Sequence, residues 1–181
     1  HMQGTPESMQ AQPRYGDVVS EVGDFLRRRV AACTAAGVTP ARLLLDPGFG
    51  FGKTVEHNLQ LLAGLPRLAA AGYPLLVGLS RKSLIARITG RGLAQRLPGS
   101  LALALLAAQR GARLLRVHDV AETRDVLCML EAFTAVEAAA TGEGPAPQNA
   151  ILDRTVSTAA SARPRTPQTS CSSSAGRPGA C

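Results

Sequence analysis

Asp46 is followed at once by Pro47 and then by Gly48, Gly50 and Gly52, with Phe49 and Phe51 between the glycines and Lys53-Thr54 closing the stretch. The glycines let the backbone approach a ligand closely or take positive φ, and the two phenylalanines offer flat apolar faces. Such a loop is suited to something planar. Two more chemistry-bearing groups follow, Gly78-Leu79-Ser80-Arg81-Lys82-Ser83 and Arg116-Val117-His118-Asp119. A helix start is electrically positive and disfavours cations, so a lysine at position 82 calls for a functional reason. Arg116 and His118 stand two apart on an extended run and share a face, where a buried arginine needs an anion such as a phosphate. Each residue also has a plain reading: Asp46 as a turn former, Ser80 as a helix N-cap, Lys82 as a surface cation, Phe51 as core, His118 as structural. His57 lies within a helix and carries no assigned role.

Each of these groups ends a short apolar run, and a helix follows. Leu43 to Asp46 is apolar without alternation until the charge that closes it, as in a strand covered on both faces. A second run opens at Pro74 and breaks at Gly78, and a third opens at Leu114. The pattern predicts a helix over 55–71 with Thr54 as N-cap and Gly72 as stop, and another over 101–110 between Ser100 and Gly111. A helix over 17–36 carries Val18, Val19, Val22, Phe25, Leu26 and Val30 at helical spacing and stops at Gly37. Strand, loop and helix recurring every 30 to 40 residues or roughly so is the pattern of βα repeats in a parallel sheet, whose chemistry sits at the C-terminal ends of the strands.

Asp46 to Lys53 resembles the DPGxGFGK signature of the dihydropteroate synthases, enzymes of the folate pathway. Gly78 to Ser83 resembles the family's GxSRKS, and Arg116 to Val120 its RVHDV. His1-Met2-Gln3-Gly4-Thr5-Pro6 is similar to the family's HMQGxP, which follows the fifth strand; the alternative is that His1-Met2 is a cloning remnant. The resemblance implies an α/β fold of the (β/α)8 TIM-barrel family, here only the last three or so βα units, covering residues 1 to about 140. It implies a truncated enzyme lacking strands one to five, since such a barrel needs about 250 residues. It further implies condensation of (7,8-dihydropterin-6-yl)methyl diphosphate with p-aminobenzoate to give 7,8-dihydropteroate and diphosphate. Carried over by motif, Asp46, Gly78, Lys82 and Arg116 hold the pterin. Gly50, Phe51, Ser80 and Lys82 border the aminobenzoate, and Arg116 with His118 holds the diphosphate. No metal ligand is expected here, because the family's Mg2+ ligand lies on the absent N-terminal segment. The resemblance also implies sulfonamide inhibitors and a homodimer through the last helices.

Composition sets the remaining bounds. The chain has 181 residues, 45% of them hydrophobic, with few aromatics at 3%, so alanine and leucine must carry burial. No apolar run reaches the length of about 18 residues needed to cross a bilayer, and a cytoplasmic location is expected. Cys33, Cys128, Cys171 and Cys181 lack metal-ligand spacing and are expected as free thiols. Residues 141–181, rich in Ala, Pro, Ser, Thr and Gly, are expected to be a low-complexity, disordered tail after a domain spanning 1–140. A net charge of +7 without stacking aromatics argues for a solvated basic face and no nucleic-acid partner. Two alternatives stand beside the synthase. One is an inactive barrel fragment that binds ligand or only self-associates. The other is a P-loop nucleotide hydrolase suggested by Gly52-Lys53-Thr54, although Pro47 stands where that motif needs its first glycine.

Overall fold

The computed structural model of the protein describes residues 1–141. Asp17 opens the first helix, α1 (Val18–Ala35), because its carboxylate accepts the amide hydrogens of Val19 and Ser20. Val18, Val19, Val22 and Leu26 recur at helical spacing and are buried along one side of it. The strand expected at 43–46 is reduced to a single bridge. A tight turn over Pro40–Arg42 precedes it and Pro47 follows, leaving room for one rung: Leu45 N donates to Pro74 O at 3.0 Å, and Leu45 O accepts from Leu76 N at 2.8 Å.

The helix expected over 55–71 is two helices, α2 (Val55–Ala63) and α3 (Leu65–Ala69). Pro66 lacks an N–H and its ring clashes with the turn before it, so it opens a new helix where it cannot continue the old one. Thr54 caps α2 as expected, and His57 completes a capping box with it. Strand β1 (Leu75–Val77) leads into α4 (Ser83–Thr89), whose N-cap is Lys82 rather than Ser80. Helix α5 (Leu97–Gln109) begins earlier than the pattern predicts, since Pro98 occupies its first turn. Ser100 therefore lies inside the helix, its hydroxyl donating to Arg96 O at 2.9 Å, and does not cap it. Strand β2 (Ala112–Leu115) also starts earlier than Leu114 and ends before Arg116, although Arg116 N still donates to Val77 O at 2.9 Å. Helix α6 (Val120–Thr141) closes the described chain.

β1 and β2 pair in parallel, Leu75 with Ala112, Leu76 with Leu114 and Val77 with Leu115, and Leu45 bridges in parallel to the other side of Leu75. The architecture is α/β with a short parallel sheet. Leu45, Leu75, Val77 and Ala112 project from one face into the core, where Val22, Phe49, Leu61 and Leu65 join them; a register shift between Leu75 and Leu76 interrupts the alternation on β2, so that Ala112 faces the core although Leu114, two residues on, does not. Each fully buried leucine of this set contributes on the order of 2 kcal/mol. The opposite face carries Leu44 and Leu114, 42% and 44% exposed. Among the described residues no helix is long and apolar enough to cross a membrane, and Cys33 and Cys128 are free thiols. The expected tail, with Cys171 and Cys181, lies outside the described residues.

Candidate functional site

Asp46 stands two residues beyond Leu44 on the same exposed face, and the loop after it grips its side chain. Gly48 N donates to Asp46 Oδ1 at 2.8 Å, while Arg116 Nη2 approaches Asp46 Oδ2 at 3.3 Å. Gly48 has φ 76°, and a Cβ there would collide with the carbonyl oxygen of His1, so glycine is required twice over. The His1 backbone nitrogen donates to Asp46 O at 2.9 Å, which brings the start of the chain alongside the Asp46 strand end. Gly78 lies between Asp46 and Arg116 on the neighbouring strand end. A Cβ at Gly78 would meet Arg116 Nη2 at 2.9 Å, so its bare backbone makes room for the guanidinium. Asp46, Gly78 and Arg116 thus form one surface, as their places on the three runs predict. Arg116 differs from expectation in one respect: its side chain is 58% exposed rather than buried.

Lys82 caps α4 with no side-chain capping bond, and its Nζ lies 4.4 Å from the centre of the Phe51 ring. Burial holds its ammonium below the ordinary lysine range, the neighbouring Arg116 acts in the same direction, and Asp46 opposes both. The stem of Lys82 passes Gly50, where a Cβ would stand 3.2 Å from it. Ser80 is buried, and its hydroxyl is engaged with His118: Oγ lies 2.9 Å from Nδ1 and accepts the His118 amide at 3.2 Å. The paired phenylalanines part company. Phe51 stays at the site, but Phe49 is 1% exposed in the core and offers no face to a ligand.

The sequence reading missed what holds the glycine loop in shape. Lys53 is 4% exposed, and its ammonium points inward to Gly48 O at 2.9 Å, Phe51 O at 3.1 Å and His1 Nδ1 at 3.0 Å. Three acceptors meet three N–H donors. Burial pushes this lysine down to about 8, with Asp46 acting against the shift. Asn58, on the first turn of α2, accepts from Gly50 N at 2.8 Å and donates to Thr54 O at 2.6 Å. A lysine turned onto its own loop cannot serve a P-loop, and the nucleotide-hydrolase alternative is set aside. The only available signal was the Lys beside three glycines, which says nothing of direction. Behind Gly50 a cavity of about 430 Å³ opens, lined by Gln10, Thr54, Lys82, Ser83 and Arg87 among others. Among the described residues no group of three or more His, Cys, Asp or Glu side chains could hold a metal ion.

The profile of the pterin-binding enzymes matches residues 1–118, His1-Met2 included, so those two residues are part of the family pattern. The chain is 54% identical to the dihydropteroate synthase of Neisseria meningitidis serogroup C over 135 residues, which is 74% of this chain and 48% of that protein. Among solved structures, the Yersinia pestis dihydropteroate synthase with a sulfonamide drug complex superposes with a TM-score of 0.73 at 46% identity, covering 75% of this chain and 50% of that one. The Xanthomonas albilineans enzyme in complex with 7,8-dihydropteroate gives 0.67 at 57% identity, over 68% and 47%. The chain spans about half the length of the curated relatives it matches.

Proposed function

This chain belongs to the pterin-binding enzyme family, and from that premise we propose that it carries ligand-binding machinery of a dihydropteroate synthase within a (β/α)8 barrel. The reaction is the joining of p-aminobenzoate to (7,8-dihydropterin-6-yl)methyl diphosphate. The observation that carries this reading is the juxtaposition of Asp46, Gly78 and Arg116 on one face, with Lys82 above Phe51 beside them.

In the proposed site the Asp46 carboxylate accepts N–H donors of the pterin, and Lys82 donates to its carbonyl. Gly78, without a side chain, allows the pterin and Arg116 to lie against the strand end. The aminobenzoate ring rests by Gly50 and Phe51, near Ser80 and Lys82. Arg116 and His118 meet the diphosphate, and Ser80 fixes the imidazole that does so. The amine nitrogen attacks the methylene carbon as the C–O bond to diphosphate breaks. The electron pair leaves with diphosphate, and the amine proton passes to solvent. Cationic stabilisation of the leaving group is the main demand, and Arg116 supplies it. The described side chains do not fit a Mg2+ site, so no step here runs through that ion.

Sulfonamides, as aminobenzoate mimics, would occupy the Phe51–Lys82 side. A homodimer is part of the proposal, supported by Met129, Phe133 and Val136 exposed on α6 and Leu106 on α5; light scattering that returned a monomer would remove it. A cytoplasmic setting is likewise proposed, in keeping with the free Cys33 and Cys128. A second reading, a fragment that binds pterin without turnover, is favoured by the exposed Leu44 and Leu114 beside the site. The deciding experiment supplies dihydropterin methyl diphosphate, p-aminobenzoate and Mg2+ and measures diphosphate release, with Asp46→Ala as control. Release abolished by the substitution supports the synthase. Pterin binding without release selects the second reading, and neither binding nor release defeats both.

A further inference from the structure

Arg81 is the one residue of the Gly78–Ser83 motif besides Leu79 and Ser83 that the proposed chemistry leaves idle, yet its backbone is the most constrained. Among the described residues it is the one non-glycine with a positive φ, 56°. In that left-handed conformation a Cβ crowds the neighbouring backbone, so an arginine stays there only if its surroundings hold it. The surroundings come from two different elements. From the first turn of α5, Ser100 Oγ accepts the Arg81 amide at 2.9 Å. Arg96, just before that helix, donates through Nη1 to Arg81 O at 2.9 Å. From the residue preceding α6, Asp119 takes the guanidinium in a two-pronged pair, Nε to Oδ2 at 3.1 Å and Nη2 to Oδ1.

The neighbours of Arg81 are the side chains that the site uses. Ser80 holds the His118 ring at 2.9 Å, and Lys82 stands over Phe51 at 4.4 Å. A change of φ at the residue between them rotates one relative to the other. We propose that Arg81 is a positioning residue whose left-handed backbone, clamped by Ser100, Arg96 and Asp119, sets Ser80 onto His118 and Lys82 over Phe51 at once. The value of that arrangement to ligand binding rests on the function proposed above; the arrangement itself does not. Asp119, in the third motif, is thereby tied to the second motif. The ion pair also explains why its carboxyl lies below the usual range while the guanidinium is raised, the mutual hydrogen bond being the leading cause in each.

Three variants of the full chain separate backbone from side chain. Arg81→Gly deletes the guanidinium but adopts positive φ freely, so it needs no clamp. Arg81→Ala deletes the same guanidinium and keeps the strain. Asp119→Asn keeps the arginine and weakens its anchor. The readout is the 15N resonance of His118 Nδ1, which reports the bond to Ser80, with 4-aminobenzoate affinity measured alongside. Arg81→Gly is expected to keep the wild-type resonance, whereas Arg81→Ala shifts it towards a free imidazole and Asp119→Asn lies between. Affinity for 4-aminobenzoate should fall about tenfold in Arg81→Ala and much less in Arg81→Gly, in line with the cost of an unclamped left-handed residue. Equal shifts in the glycine and alanine variants, or none in either, overturn the proposal. Should Arg81→Ala not fold, a wild-type resonance in Asp119→Asn, or a free-imidazole one in Arg81→Gly, overturns it. If the wild-type chain fails to bind 4-aminobenzoate, the function proposed above is at fault, while the order of resonances still decides the role of Arg81.

Discussion

The two faces of the small sheet are built from the same kinds of residue and put to opposite uses. On one face Leu45, Leu75, Val77 and Ala112 are buried beneath the helices. On the other, Leu44 and Leu114 are more than two fifths exposed, and one step further along their runs come Asp46 and Arg116. The first face stabilises the fold and touches no ligand in the proposed site. The second stabilises little and ends in the polar groups. Because side chains alternate along a strand, a slip of one residue would exchange the two sets, which makes register the property on which the site depends.

The contrast is broken most directly by truncating one leucine on each face. Leu75→Ala, at a fully buried position, should lower stability by about 3 kcal/mol, whereas Leu114→Ala should cost under about 1 kcal/mol. Urea unfolding of both variants measures the difference, and similar losses would mean that the exposed face is packed in solution. Next in size is Asp46→Ala. It should weaken binding of a dihydropterin by roughly thirty-fold, about 2 kcal/mol, while leaving the unfolding midpoint nearly unchanged, and calorimetry reads the first while urea reads the second.

Lys53 sharpens the comparison, because it is buried like the first face but shapes the loop that serves the second. Its folded-state value of about 8 lies below the ordinary 10.5, so between those pH values the unfolded chain binds more protons than the folded one. Stability should therefore be lowest below about pH 8 and rise with pH up to about 10.5. Tyr15, raised to about 12 from 10.0 chiefly by its burial, acts in the opposite sense above pH 10. Lys53→Met should flatten the rise measured by urea unfolding in buffers across that window. A rise that persists in the variant would assign it to Lys82, also lowered by burial. Smaller than the Leu75→Ala loss is that of Thr54→Ala, which removes the cap of α2 and should cost about 1 kcal/mol in urea unfolding with no change in pterin affinity.

What could be read from the sequence divides along the range of the interactions involved. Thr54 caps the helix it was expected to cap, because a cap is settled within a few residues of itself; the cap that Asp17 forms was legible on the same ground but was not read. The Gly48–Gly52 loop and the co-location of Asp46, Gly78 and Arg116 were legible for a related reason: strand ends of parallel βα units fall on one side. Ser100 was misread because the Pro98 two positions earlier is an equally local and stronger start signal. The strand at 43–46 shrank to one rung because its length depends on a neighbour as well as on its own residues. Phe49 and Phe51 look alike in a glycine-rich run, and only the tertiary fold decides which enters the core. The inward turn of Lys53 was the least legible. Long polar side chains point outwards in most settings, and its three acceptors come from positions as far apart as His1 and Phe51.

Of the basic residues in this chain, two are lysines and eighteen are arginines, and both lysines stand in the loops of the site. Lys53 is sealed by its three acceptors, whereas Lys82 is partly open and its amine is easier to deprotonate than an ordinary lysine's. Chain architecture has thus left a single partly open side-chain amine for an acylating or aldehyde reagent. A fluorophore introduced that way would sit above Phe51, at the mouth of the proposed aminobenzoate pocket, as a built-in reporter of occupancy.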